Sequence, residues 1–125
     1  MTFKVYGQDT ISMDMLIDAM IQVESKGDST AIGDGGKAVG VLQIHPIMVR
    51  EVNRILKKDS SEVRYEYKDR YSVSKSIEMF HIWRVYYHKD SSFEKIARCW
   101  NGGTRGHLMY RTKYYWRKVK EQWKN

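Results

Sequence analysis

An acidic residue stands at a position where the helical pattern predicts an apolar one. From Ser12 to Glu24, apolar side chains recur three and four residues apart, as on the buried face of an amphipathic helix (Met13, Leu16, Ile17, Met20, Ile21). The same spacing places Glu24 on this stripe, at the C-terminal end of the helix. A carboxyl group that is partly buried there can keep its proton and act as a general acid. The alternative is a helix-end acid that turns to solvent or pairs with a lysine.

Two loops are rich in glycine. Eight of the nine glycines lie in residues 27–40 or 102–106. Glycine allows positive φ angles and a close approach of the backbone to a neighbour. We therefore expect two loops, distant in sequence, that suit an open groove for an extended ligand.

The composition describes one globular domain over residues 1–125. The chain is 42% hydrophobic and 30% charged, which is typical of a folded protein, and we expect a monomer. No apolar run approaches the roughly 20 residues that span a membrane, and the N-terminus lacks a signal-peptide core. Cys99 is the only cysteine and the four histidines lack metal-ligand spacing, so neither a disulfide framework nor a metal or other cofactor is expected.

The chain is strongly basic. Its formal charge is +7, which favours an acidic partner such as a bacterial envelope, a nucleic acid or an anionic lipid. The C-terminal segment KYYWRKVKEQWK interleaves aromatic and basic residues and could contact phosphates. A packed amphipathic helix with a solvated basic face explains the same pattern, so nucleic acid is not the expected partner.

The periodicity predicts a mainly α fold with one small glycine-rich hairpin after the first helix. The hairpin would use Val39, Val41 and Ile44 as strand-like residues. Ser91 and Glu94 are spaced as a capping box for the fourth helix, and Asn101–Gly103 would end it. The first predicted helix is Ser12–Glu24, and the second begins at Pro46 and carries Ile47, Val52, Ile55 and Leu56. The others are Val73–His88 with Ile77, Phe80, Trp83 and Tyr87 on one side, residues 93–100, and about His107–Lys124 with Tyr115, Trp116, Val119 and Trp123 at helical spacing.

Three motifs, in the same order, resemble those of soluble lytic transglycosylases and goose-type lysozymes. The first is Glu24-Ser25 followed by AIGDGGKAVGVLQIHP, in which a helix-closing Glu-Ser precedes a glycine-rich hairpin and a Gly-x-x-Gln stretch. The second is ARCWNGG, with Trp100 where the family has tyrosine. The third is TKYYWRKV, whose Tyr115 matches a tyrosine of the last helix. The resemblance covers roughly residues 14–119, although residues 51–89 match only as a helical pattern.

This resemblance implies a peptidoglycan glycosidase with an α+β lysozyme-like fold. The bond cleaved would be the β-1,4 link between N-acetylmuramic acid and N-acetylglucosamine. Glu24 matches the general acid that protonates the glycosidic oxygen, and Ser25 supports it. The residues that match substrate-binding positions are Gln43, Asn101 and Tyr115, with Ser25 beside them.

The resemblance leaves two reactions open. A lytic transglycosylase needs one acid, because the acetamido and 6-hydroxyl groups of the substrate complete the reaction and leave a 1,6-anhydro sugar. A hydrolase usually needs a second carboxylate. Asp34 is the candidate, because GDGGKAVG repeats the goose-type loop from Gly33 to Gly40. The family's other acidic position is His45 here, and an aspartate in a glycine turn often only caps that turn.

The sequence thus favours a muralytic enzyme, with hydrolysis slightly ahead of the transglycosylase reaction. Size and the lack of a signal peptide or wall-binding module lead us to expect a phage endolysin or virion-associated lysin, made in the cytoplasm and acting on the wall. A catalytically silent wall-binding or nucleic-acid-binding module is the alternative from another class. The presence of Glu24 and of both groove motifs argues against a module without catalytic activity.

Overall fold

In a computed structural model of the chain, the structure describes residues 11–123. Helices predominate, with one two-stranded hairpin after the first helix, as the sequence predicts. Short 3-10 turns cover Asp34–Gly36, Tyr67–Tyr71 and Gly106–Leu108. The longer elements are α1 (Met13–Ser25), β1 (Ile32–Gly33), β2 (Ala38–Val39), α2 (Pro46–Lys58), α3 (Val73–His88), α4 (Phe93–Gly102) and α5 (Tyr110–Gln122).

The chain divides into two compact units. Of the described residues, one unit comprises 11–23 together with 93–123, and the other is Glu24–Ser92. In the first, α4 packs on α5 and on the 3-10 turn between them. In the second, α2 packs on α3, and the 3-10 turn Tyr67–Tyr71 also packs on α3.

The hairpin is short and antiparallel. Ile32 pairs with Val39 and Gly33 with Ala38, and an isolated bridge joins Val39 to Ile44. The sequence predicted Val39 and Ile44 in this role, but Val41 lies in the turn between them rather than in a strand. Val41 is nevertheless buried, because the turn folds inward.

Not every apolar residue that the spacing places on these helices is buried. In α2 the buried residues are Val49, Val52 and Ile55, whereas Ile47 is exposed. Ile47 precedes Val49 by two residues, and at 3.6 residues per turn it therefore points to the opposite side. In α3, Phe80 and Trp83, which the sequence places on one side of the helix, are both buried.

Tyr87, which the sequence places on the same side of α3, is exposed. Its hydroxyl donates a hydrogen bond to Glu51 of α2, and Arg54 Nη2 donates to that hydroxyl at 3.0 Å. A tyrosine has an apolar ring with a polar hydroxyl at its tip, so it can follow buried residues on the same side of a helix and still reach the surface.

The last helix begins three residues later than predicted. His107 lies in the 3-10 turn, and Met109 has extended backbone angles before α5 begins at Tyr110. Lys124, the predicted end of that helix, lies outside the described residues. Helix α4 continues through Asn101 to Gly102, and Gly103 at φ +88° ends it, which is a common role for glycine.

Candidate active site

The end of α1 is tied to the turn of the glycine-rich hairpin. Ser25 Oγ donates a hydrogen bond to the carbonyl of Val41 at 2.9 Å, and it accepts one from the N–H of Gly27 at 3.2 Å. Glu24, the preceding residue, is half-buried. The two bonds fix the backbone that carries Glu24, so this geometry suits the supporting role that the motif implies for Ser25.

Gln43 holds the hairpin together from inside. Its Nε2 donates to the carbonyls of Ala31 at 3.2 Å and Gly40 at 3.0 Å. Its Oε1 lies over Gly33, only 2.5 Å from where a Cβ would stand, so any larger residue at position 33 would displace the amide. No residue of the range 11–123 donates a hydrogen bond to this Oε1, which leaves it able to accept one from a sugar hydroxyl or amide.

Asp34 is at the surface, in contact with a histidine. Its side chain is 70% exposed, and Oδ2 lies 2.9 Å from Nε2 of His45. Asp34 adopts a positive φ of 50°, a region that aspartate and asparagine tolerate better than most residues. His45 immediately precedes α2, so the pair joins the hairpin turn to the start of that helix.

An arginine that the sequence analysis missed also holds the hairpin. Arg70 Nη1 donates to the carbonyls of Lys37 at 3.0 Å and Ile44 at 3.1 Å. The carbonyl of Arg70 accepts from Ser76 Oγ at 3.1 Å, and it lies 1.9 Å from the place of a Cβ on Gly40. Gly40, at φ +84°, is therefore a glycine both for its backbone angle and for its neighbour.

The segment that carries Arg70 is itself held by a buried carboxylate. Asp69 accepts a hydrogen bond from the N–H of Glu66 at 2.6 Å and one from Lys75 Nζ at 3.3 Å. The backbone bond from Glu66 keeps the pKa of Asp69 below its ordinary value; burial opposes this shift, and Lys75 adds to it. Asp69 thus stays charged and fixes the start of the 3-10 turn.

The other two predicted substrate-binding residues belong to the other unit. Asn101 lies in the last turn of α4, half-buried, with Oδ1 3.5 Å from Nη1 of Arg111. Tyr115 lies in α5 and is only 7% exposed. Trp100, which replaces the family tyrosine, is half-buried next to Asn101.

A second arginine that the sequence analysis missed joins α4 to the start of α5. Arg98 is buried and donates from Nη1 to Glu94 at 2.7 Å, from Nε to Thr112 Oγ1 at 2.9 Å and from Nη2 to the carbonyl of Met109 at 2.9 Å. Thr112 Oγ1 lies 2.6 Å from the carbonyl of Gly106. This network fixes the two helices that carry Asn101 and Tyr115.

The sequence carried only a weak signal for the two arginines. Arg98 follows Glu94 by four residues inside the ARCWNGG motif, a spacing that suits a helical ion pair. The partners of Arg70 are backbone carbonyls, as is one of the three partners of Arg98, and carbonyls leave no residue pattern to read.

Neither a metal centre nor a membrane span is found in the described part of the chain. Over residues 11–123, no cluster of three or more His, Cys, Asp or Glu side chains could hold a metal ion. Within the same range, no helix has the length and apolar character to cross a membrane.

Comparison with known proteins supports the motifs. The family model of the transglycosylase SLT domain matches residues 1–122. No curated protein and no solved structure matches the chain. Because the match covers nearly the whole sequence, the chain belongs to the transglycosylase SLT domain family, a lysozyme-like class of enzymes that act on peptidoglycan.

Proposed function

We propose that this protein is a lytic transglycosylase that uses Glu24 as its single catalytic acid. The observation that carries the proposal is the difference between the two candidate carboxylates. Glu24 is half-buried at the end of a helix whose last residue, Ser25, is hydrogen-bonded to the hairpin turn. Asp34 is largely exposed and is bound to His45, so its carboxylate is already engaged.

In the proposed reaction, Glu24 first donates its proton to the glycosidic oxygen as the bond to C1 of N-acetylmuramic acid breaks. The acetamido oxygen of the same sugar stabilises the positive charge that develops at C1. The 6-hydroxyl then bonds to C1, and its proton returns to the Glu24 carboxylate. The products are a free N-acetylglucosamine 4-hydroxyl and a 1,6-anhydromuramic acid end, and no water is consumed.

Gln43, Asn101 and Tyr115 are proposed to hold the glycan strand. Gln43 offers Oε1 as an acceptor, Asn101 offers a side-chain amide, and Tyr115 offers a hydroxyl. Ser25 acts through Glu24 as a positioning residue. That the protein works as a phage lysin stays a prediction from its sequence.

The test is mass spectrometry of the fragments released from purified peptidoglycan. Anhydromuramic ends are expected. Reducing muramic ends would instead identify a hydrolase, the reaction that the goose-type loop around Asp34 favours. A chain that binds the wall and releases nothing would be a binding module.

A further inference from the structure

The proposed reaction leaves the outer side of α5 without a role, although it is the most basic helix surface in the described chain. This helix carries five basic residues and one acidic residue, which is a net charge of +4. Its buried residues are Thr112, Tyr115 and Val119. The remaining side points to solvent and carries aromatic rings among the charges.

Basic side chains lie close to the exposed tyrosine rings of α5. Tyr110 is 86% exposed and Tyr114 is 59% exposed. Lys118 Nζ lies 4.7 Å from the centre of the Tyr114 ring and Arg117 Cζ lies 5.7 Å from it, while Lys113 Nζ lies 5.9 Å from that of Tyr110. These distances are within the range of cation–π attraction, which limits the motion of long basic side chains and prepares them to bind an anion.

We propose that this basic face of α5 (Tyr110, Lys113, Tyr114, Arg117 and Lys118) is a wall-binding surface that engages the carboxylates of the peptidoglycan stem peptides. The inference rests on the proposed function, because peptidoglycan is the polymer on which the enzyme would act. A wall repeats such carboxylates along every strand. Several weak contacts to a repeating polymer add up to firm attachment, although each exposed contact alone is weak.

The composition of the face argues against a lipid surface. A helix that lies in a membrane interface inserts an apolar side. The exposed residues of α5 include no aliphatic side chain. Of its apolar residues, Tyr115 and Val119 are buried and Trp116 is half-buried.

The geometry also favours a carboxylate over a nucleic acid. Single-stranded nucleic acids bind where their bases can stack on open aromatic faces. The Tyr114 ring already has Arg117 and Lys118 near it, so it serves to place cations rather than to receive a base. An arginine fork beside an ammonium group suits an oxyanion such as a carboxylate.

The test measures co-sedimentation with insoluble peptidoglycan from which phosphate-containing polymers have been removed. All chains carry Glu24→Gln so that the wall stays intact during the assay. Lys113→Gln, Arg117→Gln and Lys118→Gln together should weaken binding by at least about tenfold, because glutamine keeps the helix but removes three charges. Arg111 stays unchanged, since it lies next to Asn101.

The matched control removes the same charge elsewhere. Lys57→Gln, Lys89→Gln and Arg105→Gln change three other exposed cations and should alter binding by less than about twofold. Equal losses in the two triple variants would overturn the proposal, because the effect would then come from net charge alone.

Two further experiments test whether wall carboxylates are the ligand and whether the Tyr114 ring is needed for binding. Amidation of the wall carboxylates should reduce binding of the parent chain to the level of the α5 variant. Tyr114→Leu should weaken binding several-fold while Tyr114→Phe does not, because only phenylalanine keeps a ring for the two cations. Unchanged binding to the amidated wall would overturn the proposal. So would binding that appears only with phosphate polymers, with DNA or with anionic vesicles.

The outcome is separable from that of the proposed function. If the fragments carry anhydro ends but the α5 variant binds normally, only the surface assignment fails. If no fragments are released but the α5 variant still loses binding, only the proposed reaction fails.

Discussion

At the scale of single residues, the proposal depends first on the proton that Glu24 carries. Glu24→Gln should retain the fold, since the amide has the same shape and Ser25 still holds the helix end. Wall lysis should fall by roughly 10²–10⁴-fold, because that is the usual contribution of a general acid. Turbidity loss of a wall suspension measures the rate, and thermal unfolding checks the fold. Activity within about tenfold of the parent would contradict the assignment.

Asp34→Asn separates the two reactions. Asparagine tolerates the positive φ of this position, and its amide oxygen can still accept a hydrogen bond from His45. If Asp34 only shapes the turn, activity should stay within about tenfold of the parent and the products should keep anhydro ends. If Asp34 activates water, the rate should fall by at least about 10²-fold. Asp28→Asn, in the neighbouring turn, is the control for charge.

The members of the candidate site were chosen from residue identity. Glu24 continues an apolar stripe, and Glu-Ser before a glycine-rich hairpin is a specific pattern. What could not be predicted is what each side chain contacts. That Asp34 pairs with His45, and that Gln43 lies over Gly33, depends on a turn of positive-φ residues whose shape no periodicity encodes.

At the scale of elements, the hairpin depends on how closely two backbones approach. Gly40→Ala would place a Cβ 1.9 Å from the carbonyl of Arg70, at a φ of +84°. We expect a loss of at least about 2 kcal/mol in the free energy of unfolding, from strain and from displaced backbone together. Urea unfolding of the variant and the parent measures this loss in free energy.

Gly103→Ala is the matched control. Gly103 has nearly the same φ, +88°, but no atom lies within 4 Å of its added Cβ. This variant should show only the backbone strain, about 1–2 kcal/mol. Equal losses at the two positions would mean that the contact with Arg70 does not matter.

The joint between α4 and α5 depends on one buried hydroxyl. Thr112→Val keeps the shape but removes the acceptor of Arg98 Nε and the donor to the carbonyls of Gly106 and Met109. Leaving such groups unpaired costs about 1–3 kcal/mol, so the protein should unfold at lower urea. Thr104→Val changes an exposed threonine and should have little effect. A stable Thr112→Val variant would show that the network is dispensable.

The helices could be predicted from the sequence, but the start of the last helix could not. Apolar spacing, together with the end signals of α4, located the five helices within residues 11–123, because each of them has a buried side. It missed the true start of α5, since Gly106 folds against the carbonyl of Arg98 and forces a 3-10 turn before the helix. That contact joins residues eight apart, and it cannot be recognised until α4 is in place.

At the scale of the whole molecule, the net charge follows from composition alone and does not depend on the fold. The net charge of +7 is a sum over the sequence, so it holds however the two units are built. Where the charge concentrates is a matter of structure. The packing of Thr112, Tyr115 and Val119 leaves the basic side of α5 in solvent. Of the four residues that the sequence named for this helix, Tyr115 and Val119 are buried, whereas Trp116 and Trp123 are half-buried.

The last prediction concerns salt. Attraction between a basic protein and an anionic wall acts over about 8 Å at physiological ionic strength, and added salt shortens that range. Lysis of whole walls should therefore slow several-fold as salt rises from low to physiological concentration, because the enzyme finds and holds the wall less well. The α5 triple-glutamine variant with Glu24 intact should respond less steeply. A short, neutral chitooligosaccharide has no charge to attract, so its cleavage gives the control if the enzyme accepts an oligosaccharide without muramic acid. Equal salt sensitivity on walls and on that oligosaccharide would mean that salt acts on the reaction itself, and the basic surface would then have no part in reaching the substrate.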